Sequence, residues 1–228
     1  MSHRAFDALL CDIDGVIRFY DHDELHRSEQ AAGLAPGTTL RVAFEPEREA
    51  PLLHGRLTRA EWAASIAEGL TALVPAEVAE LLAQGFIHAP SWADPAVLDL
   101  IAQVRRTLPV VLVTNATVWL DDDLALLGLG DVADHIVNSA RVGVAKPDPA
   151  IYAIAAERAG VPAGRCLFVD DNLANAEGAR AVGMSGLHYR EVADLRLALA
   201  PLLASEAGQA AGQAPAGRPV VTPGTAPG

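Results

Sequence analysis

The sequence predicts an α/β fold: a doubly wound parallel sheet with an inserted α-helical cap. Three observations lead there. Short apolar runs bounded by turn residues recur along the chain and alternate with helical patterns, which is the signature of a parallel sheet. The long stretch after the first run is helical instead of strand-like. Finally, three of the apolar runs end in polar residues, and open α/β sheets place their ligands at the carboxyl ends of their strands.

The first run, Ala8-Leu9-Leu10-Cys11, ends in Asp12-Ile13-Asp14-Gly15-Val16. A run this short, closed by a turn signal, reads as a buried parallel strand. Alternation would point Asp12 and Asp14 to the same side of a regular strand, while Gly15 invites a bend that lets them diverge. Alone, the pair reads equally well as a solvated strand end.

From 18 to 92 helical patterns take over. A short polar helix is expected over 23–33. Thr58-Arg59-Ala60-Glu61 has the form of a capping box, followed by Trp62, Ile66 and Leu70 at helical spacing. Pro75 opens a segment with Val78, Leu81 and Leu82 on one face, expected to end at Gly85. A connection of this length with its own structure is suited to covering a site.

Asp94-Pro95 caps a helix over 96–108, and a second buried strand over 109–113 ends in Thr114-Asn115-Ala116. A helix over 121–127 stops at Gly128, a third strand covers 135–137, and a helix over 149–159 closes at Gly160. The fourth strand, 166–169, ends in Asp170-Asp171-Asn172. A helix over 174–181, a weak fifth strand over 186–189 and a last helix over 192–204 complete the core. Beyond 205 the composition collapses to Ala, Gly, Pro and Gln, which reads as a disordered tail. The division is therefore 1–17 and 93–204 for the core, 18–92 for the cap and 205–228 for the tail.

At 228 residues, 51% of them hydrophobic, the chain can bury a sizeable core. It carries 17 basic and 29 acidic residues, a formal net charge of −12, which argues against nucleic acid or an anionic membrane as partner. An acidic chain that handles an anionic substrate needs a local positive group or a metal ion. Cys11 and Cys166 sit in apolar runs and read as buried thiols, not as a disulfide. No apolar stretch reaches the ~18 residues of a membrane span, and the first residues show no signal-peptide pattern. A soluble cytoplasmic protein, monomeric or homodimeric, is expected.

Lys146, in Gly143-Val144-Ala145-Lys146-Pro147-Asp148-Pro149, is the only lysine among the 17 basic residues. A compact point charge suits a buried carboxylate–phosphate site. With Asp12/Asp14, Thr114/Asn115 and Asp170/Asp171 it describes a phosphoryl-transfer site. Carboxylates gathered at one point repel each other, and Mg²⁺ with its oxygen ligands would hold them. One carboxylate could attack phosphorus. Another could protonate the leaving oxygen and later activate water. The threonine hydroxyl, the asparagine amide and the ammonium would hold the phosphoryl oxygens.

These motifs, in this order, resemble the haloacid dehalogenase superfamily, in its phosphatase branch with a helical cap. They are Asp12-Ile13-Asp14-Gly15-Val16, Thr114-Asn115-Ala116, Lys146-Pro147, and Asp170-Asp171 with Asn175 and Gly183-Met184; the resemblance covers roughly residues 6–190. It implies Asp12 as nucleophile and Asp14 as general acid/base. It implies Thr114 and Asn115 as phosphate binders, with Lys146 steadying Asp12 and the phosphate. Asp171 is implied as a direct Mg²⁺ ligand with Asp12 and the Asp14 backbone carbonyl, with Asp170 acting through a water and Asn175 in support. The stretch from Asp131 to Met184 is also similar to sugar-phosphate phosphatases and to the phosphatase domain of epoxide hydrolases. The substrate implied is a small-molecule phosphate ester such as a sugar phosphate.

Several rivals share part of this pattern. A haloacid dehalogenase has no need of the second aspartate, so Asp14 favours phosphate chemistry. A phosphonatase would need a cap lysine, and 18–92 has none. A phosphoglucomutase-like transferase shares all four motifs and stays open. A phospho-acceptor receiver domain places its lysine last and has no helical insertion. An inactive binding protein on the same fold would lack a motif residue, and none is missing. Specificity is expected from the insertion: Arg18, Arg41, Arg48 and Arg56 could meet an anionic substrate and Phe44, Trp62 or Trp92 could pack on an apolar or sugar face, though each reads first as an ordinary surface charge or cap core residue. His22, His26, His54 and His88 show no metal-ligand spacing. Asp121-Asp122-Asp123 reads as a helix N-terminus favoured by the macrodipole.

Overall fold

A computed structural model describes residues 4–211, with side chains through 204. In chain order the elements are β1 (Ala8–Cys11), β2 (Arg18–Tyr20), α1 (Asp23–Ala31), α2 (Thr38–Ala43), α3 (Pro46–Leu53), α4 (Arg59–Leu70) and α5 (Ala76–Ile87). Then come β3 (Ser91–Ala93), α6 (Pro95–Arg105), β4 (Val110–Thr114), α7 (Leu120–Leu126), β5 (His135–Asn138) and α8 (Ser139–Val142). The chain continues through α9 (Pro149–Ala159), β6 (Cys166–Asp170), α10 (Leu173–Ala181), β7 (Ser185–His188) and α11 (Val192–Ala211).

Five strands form one parallel sheet in the order β5-β4-β1-β6-β7. The chain leaves β1 for β4 and β5 on one side and returns to β6 and β7 on the other. The strand order therefore reverses at β1, and the crevice that results opens at its carboxyl end. The period of two along a strand splits the sheet residues between two apolar layers. Leu9, Cys11, Val110, Leu112, Leu167 and Val169 face α6 and α11, packing with Val97, Ile101, Val104, Leu195 and Leu199. Ala8, Leu10, Val111, Val113, Cys166 and Phe168 face α9 and α10, packing with Ile151, Tyr152, Ala155 and Ala179. Both cysteines are buried and unpaired.

Helices α1–α5 enclose a third apolar cluster of their own, around Leu25, Val42, Leu52, Trp62, Ile66, Leu70, Leu82 and Phe86. The Thr58/Glu61 capping box opens α4: the Glu61 N–H donates to Thr58 Oγ1 and the Thr58 N–H donates to Glu61 Oε2. The insertion joins the core through β2 and β3, which pair antiparallel. The sequence patterns did not reveal these two strands, which have three residues each and pair across some 70 intervening residues. Nor did they reveal α2, α3 or α8.

Two boundaries differ from expectation. Helix α5 runs through Gly85 to Ile87 because Phe86 anchors its last turn in the insertion core, and Leu81 turns outward, 72% exposed. Helix α11 continues to Ala211 where a disordered tail was expected from 205, because Ala, Glu and Gln are strong helix formers. The remainder of that tail, 212–228, lies outside the described residues. Among the described residues no helix is long and apolar enough to cross a membrane.

Candidate active site

Asp12 is the residue at which the chain leaves β1. Its N–H still donates to the Val169 carbonyl at 2.9 Å, so the carboxylate is delivered to the carboxyl edge of the sheet. Asp12 Oδ1 accepts from the Ile13 N–H at 2.7 Å, and Oδ2 lies 2.8 Å from Lys146 Nζ. The same ammonium lies 2.6 Å from Asp170 Oδ2, and its side chain is wholly buried. Asp170, the last residue of β6, also accepts from the Asn172 N–H at 2.9 Å and Asn175 Nδ2 at 3.1 Å. Asn175 is held in turn by Tyr152, whose hydroxyl donates to its carbonyl at 2.8 Å.

Carboxylate oxygens of Asp12, Asp170 and Asp171 lie within 4.8 Å of one another. One ammonium therefore faces three carboxylates. Burial pushes the Asp12 carboxyl up to about 7, against the pull of Lys146 and with the Asp170 charge adding to the rise. Partial desolvation, then the Asp170 charge, also raise Asp171. Burial works against the Lys146 charge, but Asp12 and Asp170 more than offset it and raise its pKa. An oxygen-only acidic cluster with a net negative charge matches what Mg²⁺ requires.

Thr114 ends β4, beside β1. It is 1% exposed, and its Oγ1 has no hydrogen-bond partner among the described residues. Buried hydroxyls are nearly always paired, so an open one at this edge suits a ligand oxygen. The amide of Asn115, expected on the phosphate, is tied elsewhere. Asn115 Nδ2 donates to the Lys146 carbonyl at 2.9 Å, and Oδ1 accepts from the Lys146 N–H at 2.7 Å. This reciprocal pair leaves one amide N–H for a ligand and locks the loop that presents Lys146. The 114–117 turn is held further by Ser139 Oγ, which accepts from the Ala116 N–H at 3.1 Å, and by Asn138 Nδ2, which donates to the Thr117 carbonyl at 2.7 Å.

Asp14 is half-exposed and gripped by Arg18: Nε donates to Oδ1 at 2.6 Å and Nη2 to Oδ2 at 2.9 Å, a bidentate pair. Arg18, considered above as a cation open to substrate, is only 4% exposed and committed to Asp14. Its Nη1 also lies 3.7 Å from Asp123 Oδ2, and Asp123 Oδ1 lies 2.6 Å from Arg59 Nη2 at the start of α4. Asp123, expected to act through the helix dipole alone, thus joins the core to the insertion. Gly15 turns the chain between these groups with φ 79°, and Asp171 is so near that a β-carbon there would overlap its carboxylate.

A cavity of about 600 Å³ opens between this edge and the insertion, with Asp14 and Asn115 in its lining. Phe44 and Trp62 line it. Trp92 instead stacks on Phe19, ring centroids 5.9 Å apart, outside the lining. Arg48 pairs with Glu45 and donates to the Ser65 carbonyl at 3.1 Å, which removes it as a substrate cation. Arg41 and Arg56 do not line the cavity, whereas His22 and His88 do. Tyr152, Asn138, Ser139 and Asp123 support the site without any local sequence signal, since each acts through a partner 20 or more residues away.

The chain is similar to known proteins in both sequence and fold. The chain matches the family model described as "Hydrolase: haloacid dehalogenase-like hydrolase" over residues 6–183. It is 40% identical to a phosphatase of Mycobacterium tuberculosis over 82 residues, 35% of this chain and 38% of that protein. It is 26% identical to bifunctional epoxide hydrolase 2 of Rattus norvegicus over 202 residues, 80% of this chain and 36% of that one. The match thus spans well under half the length of either relative. The fold is that of a haloacid dehalogenase family enzyme from Bacteroides thetaiotaomicron, crystallised with magnesium and inorganic phosphate. The TM-score is 0.60 at 21% identity, covering 79% of this chain and 92% of that one.

Proposed function

We propose, since the chain belongs to the haloacid dehalogenase-like hydrolase family, that it is a Mg²⁺-dependent phosphomonoesterase working through an aspartyl phosphate on Asp12. One observation carries this reading: Asp12, Asp170 and Asp171 converge on one point, with Lys146 between the first two and the open Thr114 hydroxyl at the neighbouring strand end.

In this reading a carboxylate oxygen of Asp12 attacks phosphorus, and the bond from phosphorus to the ester oxygen breaks. Asp14 gives the leaving oxygen its proton. Asp14 then takes a proton from water, whose oxygen attacks the same phosphorus, releasing inorganic phosphate and restoring the Asp12 carboxylate. Arg18 orients the Asp14 carboxylate as the base of the second half, and in the first half one Asp14 oxygen gives up its Arg18 hydrogen bond to carry the proton. Lys146 holds Asp12 and Asp170 together by offsetting their mutual repulsion, and Thr114 offers its hydroxyl to a phosphoryl oxygen. Mg²⁺, held by Asp12 and Asp171 with the Asp14 carbonyl, would supply the positive charge that the cluster lacks. Asp14 is also what sets this reading above dehalogenation, which has no use for a second carboxylate. The sugar-phosphate class rests on resemblance alone.

The test is release of p-nitrophenol from its phosphate ester in Mg²⁺ and in EDTA, for wild type and Asp12→Asn. Turnover should require Mg²⁺ and fall at least about 1,000-fold in the variant. Metal-independent turnover would refute the Mg²⁺ requirement, and a variant within tenfold or so of wild type would remove Asp12 from the nucleophile role.

A further inference from the structure

The cavity beside Asp14 is where the alcohol half of an ester would sit. Its charged lining is Asp14, Arg18, Asp123 and Arg59, and these neutralise one another through the ion pairs described above. The rest of the wall is largely aromatic and aliphatic. Phe44, Trp62 and Phe86 meet edge to face, with centroids 5.5 to 6.1 Å apart, and Trp119 lies beside Trp62 at 6.3 Å.

A second observation concerns exposure. Leu126, Phe44, Tyr20 and Leu40 are 86%, 44%, 39% and 38% exposed, and all four line this cavity. Single exposed apolar residues need no explanation, but their gathering around one concavity marks a ligand surface. A third observation is that aromatic and aliphatic side chains outnumber the uncharged polar ones of this lining, Tyr20, His22, His88, Ser91, Asn115 and Thr117. A sugar brings several hydroxyls, each costly to bury without a partner. Among the described residues, the buried unpartnered polar side-chain atoms of this lining are His22 Nδ1 and Trp62 Nε1.

We propose that the substrate is the phosphomonoester of a hydrophobic alcohol, aryl or medium-chain alkyl, and not a sugar phosphate. The inference deepens the phosphohydrolase reading and rests on it. The bond cleaved is still phosphorus to ester oxygen. The alcohol leaves with the proton from Asp14, and water supplies the fourth oxygen of the phosphate.

The experiment compares kcat/KM for octyl phosphate and 1-naphthyl phosphate with that for glucose 6-phosphate and glycerol phosphate, using acetyl phosphate as a small reference. The apolar esters should lead by about 100-fold, since each buried methylene contributes a several-fold gain. Parity, or a lead for the sugar phosphate, overturns the proposal and leaves the phosphohydrolase reading standing. Failure of every ester and of the acyl phosphate counts against that reading instead. The cavity is then tested alone by calorimetry in Mg²⁺: octylphosphonate binding about 30-fold tighter than methylphosphonate supports the proposal, and equal binding overturns it. Leu126→Asp, at the exposed rim, and Phe44→Asp should each cut the alkyl-over-sugar ratio by about tenfold. An unchanged ratio in both variants refutes the assignment.

Discussion

Replacing Gly15 by alanine probes the narrowest point of the site. Gly15 has φ 79°, and an L-residue in the left-handed region costs about 1–2 kcal/mol. A chain of this size loses about 2–4 °C in Tm per kcal/mol, so backbone strain alone amounts to roughly 2–8 °C. The added β-carbon would also overlap Asp171 Oδ2 and its Cγ, so the carboxylate must swing away. Gly128→Ala is the control: φ is 70°, and nothing lies within 4 Å of the new methyl.

At Mg²⁺ a hundredfold above its Kd, binding adds about 2.7 kcal/mol to wild type. A disturbed ligand shell weakens a metal about 10–100-fold, which leaves about 0.4–1.4 kcal/mol of that gain. Thermal melts of the three proteins in EDTA and in Mg²⁺ read both quantities. Both variants should melt lower in EDTA, and Gly15→Ala should also lose most of its Mg²⁺ response while Gly128→Ala keeps it. A full Mg²⁺ shift and wild-type turnover in Gly15→Ala would show that Asp171 need not sit where it does.

Further expectations follow from single contacts. Lys146→Met leaves the Asp12–Asp170 pair without its buried counter-charge, and such a loss costs about 3–5 kcal/mol in a urea midpoint taken in EDTA. A cost under about 1 kcal/mol would mean that the ammonium is not what holds the pair. Asp134 Oδ2 accepts from the Val110 N–H at 2.8 Å and Oδ1 from Arg105 Nε at 2.9 Å. Burial would raise this carboxyl, but these two partners outweigh it and hold its pKa below the ordinary range. The native state then binds fewer protons than the unfolded one in mild acid. The stability gap between wild type and Asp134→Ala should thus be full above about pH 4 and narrow as the pH falls further. The gap is small, because the side chain is 36% exposed. An identical gap at neutral pH and well below the native pKa would contradict the assignment.

The sheet was legible because β1, β4 and β6 are buried along their whole length, and unbroken apolar runs such as Val110–Val113 and Cys166–Val169 announce that burial. Their polar ends were legible for the same reason: Asp12, Thr114 and Asp170 stand where an apolar run stops. What could not be read was partnership. The Asn115 amide meets a backbone 31 residues away, and Arg18 meets Asp14 locally but Asp123 across the fold. Nothing near Arg18 in the chain marks it as buried, and only the closed structure shows that it has no charge to spare for substrate. Gly85 illustrates the converse failure. A strong helix stop was overruled because Phe86 gains more from the insertion core than the glycine costs.

The groups that converge on the phosphoryl position come from the strand ends of the sheet, whereas Leu40, Phe44, Trp62 and Phe86 come from helices with an apolar core of their own. The two sets answer to separate packing constraints and meet at the Asp14–Arg18–Asp123–Arg59 ion pairs. A substitution in α2, α4 or α5 is judged by the packing of that small core and by the ligand, not by the register of the sheet. In the proposed reaction, drift in the insertion can therefore change which alcohol is accepted while the chemistry assigned to Asp12 is kept. For anyone redesigning this protein, selectivity is a problem of some seventy residues between β2 and β3, set largely apart from the chemistry.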